Sequence, residues 1–520
     1  MASERDGKRQ LSLPAAWLPG SGPDGDGLQR WALLAVVIGA IAGAGAAGLF
    51  GLLEVCTHWV LGTLGGHHPY RTTMEGGFAT AGPFDRPWAV PLVVAGGALV
   101  GALLVRLLAP EAGGHGTDAA IAAAHHTPLD MRGRVTLVKM AASAITLGSG
   151  GSGGTEGPAA QISAAFGSVI ARRARLTPAQ ARTAVVIGLA AGVGAVFRAP
   201  LGGALLGAEL LYRKDADARV IPKSLLASAA GYAVFGACFG FGPVFGSHSA
   251  SAALGLGDLP LLLLVGLLAG GAGRLYVGAF HWVHQRVQPR STGTAAKLLF
   301  PAAGGLLVGG LGLLFPGVLG TGYGLMEGVM RRDVLLHLSL WVVLLLPLAK
   351  MLGTALSMGS GGTGGIFGPG LVVGAGVGAA VWRLADGLDL APHSPALLVV
   401  AGMAACLGPV VRAPLAVLVM AVETAGDAGL TGPAIIAVLT ACVVVRGVTL
   451  YRSQPDHPAE VPLPGEPAGE GTAQVAGGLV GAPPSDSPPS AGAAVVAGAI
   501  ARPPAPAPAP EPEHAEAERK

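Results

Sequence analysis

Gly148-Ser-Gly-Gly-Ser-Gly-Gly-Thr-Glu-Gly-Pro158 and Gly359-Ser-Gly-Gly-Thr-Gly-Gly-Ile-Phe-Gly-Pro369 match at eight of eleven positions, 211 residues apart. A second pair follows at nearly the same offset. Arg198-Ala-Pro-Leu201 recurs as Arg412-Ala-Pro-Leu415, and each arginine precedes a glutamate, Glu209 or Glu423, by eleven residues. Low complexity can align glycines by chance, but it does not also keep Arg-Ala-Pro-Leu and a glutamate in step. The chain is therefore duplicated, with halves expected at about 87–300 and 301–447.

Each glycine-rich stretch ends in Gly-Pro and runs into an apolar segment, as a helix N-terminus does. Glycine lets the backbone approach an ion closely, and free N–H groups with the helix dipole favour an anion. Two such termini facing each other would bind an anion without a full positive charge. The competing reading, glycines serving only helix packing, does not explain why both loops match.

Composition sets the surroundings. Only 12% of the 520 residues are Asp, Glu, Lys or Arg, about half the usual share of roughly 25%. Mean hydropathy is +0.59. The 85 glycines show no three-residue period, which excludes collagen-like material. A polytopic helical membrane protein remains, in which small residues let helices approach closely. A net charge of +3 is too small to suggest a nucleic-acid partner. Cys56, Cys238, Cys406 and Cys442 have no CxxC spacing, so neither a disulfide framework nor a metal site is indicated; no cofactor is expected.

Residues 1–30 read as a cytoplasmic tail, and Trp31–Val55 as a first membrane helix retained in the mature chain. Apolar stretches follow at 87–108, 135–147, 182–212, 222–243, 252–283, 296–315, 335–357, 366–385, 394–425 and 432–447. Several are too long or too short for one span, which predicts broken, tilted helices. Arg172, Arg173, Arg175 and Arg182, and Arg213, Lys214, Arg219 and Lys223, mark cytoplasmic loops. Residues 452–520 hold 15 of the 40 prolines, with nine acidic against four basic residues, and read as a disordered tail.

Glu156 lies inside the first loop. A carboxylate within the membrane is a functional candidate by default; ionised, it would compete with an anion, and protonated it would leave. Capping its own helix is the plainer alternative. Glu209 and Glu423 read as structural, near the interface or paired with a basic residue.

Together these motifs resemble the ClC family of chloride channels and proton-coupled chloride antiporters, over residues 31–452. Gly154-Thr-Glu-Gly-Pro158 with Gln161 resembles the family's gate loop, and Gly365-Ile-Phe-Gly-Pro369 its central anion loop. The resemblance implies an all-α, inverted-repeat bundle over 31–451 and a homodimer with one pore per subunit. It makes Glu156 the gate, and His115, Gly154, Thr155, Gly157, Ile366, Phe367 and Tyr451 the groups facing the anion. Gly114, Gly116, Ser152, Pro158, Gly365 and Pro369 shape the helix N-terminal loops. Chloride or a similar small anion would be carried across the cell membrane; the paired regulatory domains of many relatives are not expected in the tail.

Three departures bear on mechanism. Thr155 replaces a basic residue beside the gate, His115 replaces a serine facing the central anion, and Leu210 stands where antiporters usually carry an inner glutamate. The last favours passive, channel-like conduction over proton exchange. Two other readings are weaker. Gly151-Ser-Gly-Gly154 loosely resembles an intramembrane serine protease signature, with His115, His125 or His126 as base. His115 and His126, eleven residues apart, could share one helix face as metal ligands. Neither uses Glu156 or the second loop, and no enzymatic activity is expected.

Overall fold

The computed structural model describes residues 28–246, 255–291 and 293–457. The N-terminal tail before residue 28 and residues 458–520 lie outside the described residues. Seventeen α-helices occur among those described. The first eight are α1 (Leu28–Cys56), α2 (Ala89–Leu108), α3 (Thr117–His126), α4 (Gly133–Gly148), α5 (Glu156–Arg173), α6 (Pro178–Val196), α7 (Pro200–Glu209) and α8 (Ile221–Phe239). Then come α9 (Leu259–Val287), α10 (Thr294–Leu314), α11 (Tyr323–Met330), α12 (Arg332–His337) and α13 (Leu340–Gly359). The chain ends in α14 (Phe367–Asp386), α15 (Ala396–Val411), α16 (Pro414–Ala425) and α17 (Thr431–Val444).

The helices line up as two series. α1 and α9 each have 29 residues, and α2 and α10 have 20 and 21. α1 packs on α8 as α9 packs on α17, and α5 on α6 as α14 on α15. The second series thus begins at α9, ahead of the expected boundary near 301, and the first at α1 rather than at 87. The long first helix of each series is apolar but carries no shared motif, so sequence alone did not tie them together.

Corresponding helices meet across the halves: α2 packs on α10 and α7 on α16. Glu209, at the end of α7, accepts the Ala416 N–H of α16 at 2.9 Å. Glu423, near the end of α16, accepts the Leu201 and Gly202 N–H groups of α7 at 3.1 and 2.7 Å. Each glutamate satisfies orphan donors at the start of the opposite helix, so their partners are backbone amides rather than basic residues. The arginines that precede these helices, Arg198 and Arg412, both have positive φ, 51° and 62°. That repeated left-handed bend turns the chain between α6 and α7 and between α15 and α16.

Among the described residues, eight helices are long and apolar enough to cross a membrane. Others are not: α7, at ten residues, reaches only about 15 Å, half of the ~30 Å hydrocarbon layer. Such helices end inside the bundle, where their termini become available for chemistry. The centre is built from α5, α6, α14 and α15, rich in Ala and Gly; all sixteen residues of α15 are buried. Leucines of α2, α9 and α10 face outward, among them Leu107, Leu275 and Leu307.

Residues 452–457, expected to open the disordered tail, are docked on the helical core. Ser453 donates its N–H to Asp118 Oδ1 at 2.9 Å, and Gln454 Nε2 donates to Leu210 O and Val411 O at 2.7 and 3.0 Å. Arg213 and Lys214 donate backbone N–H groups to Pro455 O and Asp456 O, and the Lys214 ammonium binds the Asp456 carboxylate. These polar side chains lie outside the apolar pattern, so composition blurred them into the proline-rich stretch that follows.

Candidate functional site

The two glycine-rich loops meet as an antiparallel pair. Gly154 donates its N–H to Gly365 O at 2.8 Å, and Gly365 returns one to Gly154 O at 2.6 Å. That pairing sets the N-termini of α5 and α14 against one another. Gly157 lies so close to the His115 carbonyl that a Cβ there would sit 2.0 Å from it. Gly116, with φ +88°, would likewise press a Cβ into Gly157 O at 2.4 Å. The Gly114–Gly116 loop ahead of α3 thereby becomes a third wall.

Glu156 is buried, 1% exposed. Its Oε2 accepts the Gly368 N–H at 3.0 Å, and Oε1 lies 3.4 Å from the donating Thr155 hydroxyl. The carboxylate therefore reaches out of its own helix and onto the terminus of α14. Pro158 and Pro369 occupy the first turns of α5 and α14, where a missing N–H is harmless. Ile366 and Phe367 stand at the start of α14. Tyr276, from α9, donates its hydroxyl to Ile366 O at 2.6 Å, fixing the peptide planes of that terminus.

Tyr451 is fully buried beyond α17. The Leu450 N–H to Val410 O bond, 2.8 Å, and the Gln454 amide hold it there. Its hydroxyl, the Tyr323 hydroxyl and His115 Nδ1 are buried with no hydrogen-bond partner. The His115 and Tyr451 rings are 5.8 Å apart. Tyr323 also reaches the α14 terminus, since a Cβ on Gly368 would fall 2.1 Å from its hydroxyl. The site thus presents free N–H groups and three unmatched polar atoms to one buried region.

Two lysines that sequence reading missed stand behind it. Lys139 is fully buried and donates to Ala112 O and Gly114 O at 3.1 and 2.6 Å. Lys350, also fully buried, donates to Val318 O and Gly320 O at 3.1 and 2.9 Å. They are 211 residues apart, the offset of the glycine loops, and that offset was the signal available. Two matched amine side chains therefore stand behind both walls, in addition to the helix dipoles expected from the sequence.

Ser152 is buried against α13, its hydroxyl 3.1 Å from that of Thr354, and no imidazole partners it. His115 precedes α3, whose cap is Gly116, so it does not share a helix face with His126. Leu210 is buried, 1% exposed.

A family model described as voltage gated chloride channel matches residues 96–446. The chain belongs to the ClC family. Among curated ClC relatives, a ClcB-like protein of Ralstonia nicotianae, with the provisional name of a chloride channel protein, is 31% identical over 377 residues, covering 69% of this chain and 83% of that one. The H(+)/Cl(-) exchange transporter ClcA of Citrobacter koseri is 32% identical over 364 residues, 68% of this chain and 75% of its own. Two solved ClC structures share the fold. A slow cyanobacterial Cl-/H+ antiporter has a TM-score of 0.67 at 22% identity, covering 80% of this chain and 94% of its own. A CLC-type fluoride/proton antiporter has a TM-score of 0.66 at 20% identity, covering 82% and 98%. With its eight apolar helices, this ClC chain is a multi-pass membrane protein.

Proposed function

We propose that the chain exchanges chloride for protons across the membrane, with Glu156 as the gate. The observation that carries this reading is the Glu156 carboxylate on the Gly368 N–H. An anion at the α14 terminus needs that same donor. An ionised carboxylate competes for it, whereas a protonated one loses its charge and releases it, so anion entry and proton uptake become linked. In this reading the N–H groups of Thr155, Gly157, Ile366 and Phe367, with the Gly368 N–H that Glu156 vacates, hold the anion, and the Tyr451 hydroxyl and His115 stand on its other side; Gly154, whose own N–H is bonded to Gly365 O, lines the site without donating to the ion. Gly114, Gly116, Ser152, Pro158, Gly365 and Pro369 shape the three walls.

The leaning to passive conduction rested on Leu210 alone. The ClcA relative named as an exchanger and the two antiporter structures support the coupled alternative instead. Assembly as a homodimer with one pore per subunit belongs to the same proposal. An inward proton gradient imposed on proteoliposomes at equal chloride should drive net chloride movement. Chloride that stays at equilibrium under that gradient, in vesicles shown to pass chloride, contradicts it.

A further inference from the structure

Coupled exchange needs a titratable group at the cytoplasmic end of the proton path, and Leu210 supplies none. That end is the side of Arg213 and Lys214, by the excess of positive charge on cytoplasmic loops. The segment carrying Tyr451 is pinned there through the Lys214–Asp456 pair. His125 reaches the carbonyl of the residue next to Leu210, but both its nitrogens are engaged. Arg182 donates to Nδ1 at 2.9 Å, so Nε2 must carry the proton facing Leu211 O at 3.0 Å. This histidine is held neutral beside a guanidinium and serves packing.

A second group of imidazoles is differently placed. The Phe280 ring lies 5.8 Å from His115, 5.5 Å from His281 and 5.8 Å from His284. Three histidines therefore surround one phenyl ring at the cytoplasmic mouth. His281 and His284, three apart on α9, share a helix face and are half-buried. His115 touches the anion site through Gly157 and keeps a buried Nδ1 without a partner. The charged groups facing the cluster are Asp118 from α3, Lys139 from α4 and Arg452 beyond α17. Lys139 is committed to its two carbonyls and Asp118 accepts from Ser453.

We propose that His281, His284 and His115 form the cytoplasmic proton station of this transporter, in place of the inner glutamate. Imidazole suits the task because one ring nitrogen can accept a proton while the other donates one. A proton taken from cytoplasmic water by His284 or His281 is relayed by water past the edge of the Phe280 ring to His115, whose second nitrogen releases one through water toward Glu156. Each imidazole returns to neutral, and no other reactant is consumed. The station rests on the antiport reading above.

The test is full-length H281Q/H284Q in proteoliposomes, with chloride and pH recorded together under an outward chloride gradient. Chloride flux should persist while protons moved per chloride fall about a hundredfold, the low end for loss of a positioned proton-transfer group. His284→Glu should restore part of the ratio, and H281Q or H284Q alone gives the same readout if the double variant fails to assemble. An unchanged ratio in a coupled system overturns the station and leaves antiport standing. Proton and chloride flux falling in equal proportion marks a structural role and also overturns it. Wild-type protein that moves no protons contradicts antiport itself, and the station with it.

Discussion

The Glu156 carboxylate accepts the Gly368 N–H at 3.0 Å across 212 residues of sequence. One half of the duplicated chain thus plugs the helix terminus of the other. Neutralising that side chain should remove the competition. Glu156→Gln is expected to pass chloride at or above the wild-type rate, with no pH dependence and no proton movement. Folded protein that retains wild-type pH dependence would remove Glu156 from the gate.

Lys350→Met leaves Val318 O and Gly320 O without their donor in a fully buried place. A hydrogen bond to a charged group is worth about 1.5–3 kcal/mol, so the loss should approach 3 kcal/mol. Lys139→Met should behave alike, as the duplication requires. Thermal unfolding in detergent reports the stability, and chloride titration by calorimetry should show weaker binding in both variants. Unchanged melting in either contradicts the structural part.

Glu209→Ala and Glu423→Ala each remove a helix cap supplied by the opposite half. Each should lower stability by about 1 kcal/mol, the usual magnitude for a lost N-terminal cap. Glutamine, whose amide oxygen still accepts, should lose less. Equal losses for Ala and Gln would point to charge rather than capping.

His115→Ser returns a hydroxyl to a position where an imidazole now faces Tyr451. Relative permeabilities to chloride, nitrate and bromide should change more than the melting temperature does. Permeabilities that stay in proportion would mean the ring points away from the ion.

Asp456, outside the spans, has its carboxyl held below the ordinary range by the Lys214 ammonium bonded to it. Its contribution to docking residues 452–457 is therefore complete above the usual Asp pKa of about 3.9 and fades as pH falls through the depressed value. The protection factors of the Ser453, Arg213 and Lys214 amides, whose N–H groups are bonded across this contact, should fall on such acidification and on adding salt. D456N should exchange fast at every pH; slow exchange there would show that the pair does not pin the segment.

Much of the site was legible because repetition singled it out. The Gly154 and Gly365 loops stand 211 residues apart and the Arg-Ala-Pro-Leu turns and their glutamates 214 apart, and the structure brings the two halves together at both places. Repetition did not disclose what each glutamate binds, because its partners are backbone N–H groups with no signature in the side-chain string. Helices α3 and α11 escaped the apolar scan because they are short, and α5 showed only at its Gly-Pro start because it carries polar residues on buried faces. Tyr276 and Tyr323 were passed over because an aromatic residue in an apolar helix looks like packing. Only its hydroxyl's position, at Ile366 O or beside Gly368, shows otherwise.

The most direct measurement of coupled exchange is the potential at which chloride flux vanishes in proteoliposomes, read at a fixed chloride gradient while the pH gradient is varied. Antiport predicts that the zero-flux potential moves steadily with the pH gradient, and that Glu156→Gln abolishes the movement. A wild-type zero that stays at the chloride equilibrium potential at every pH gradient would contradict antiport and make the protein a passive chloride pathway.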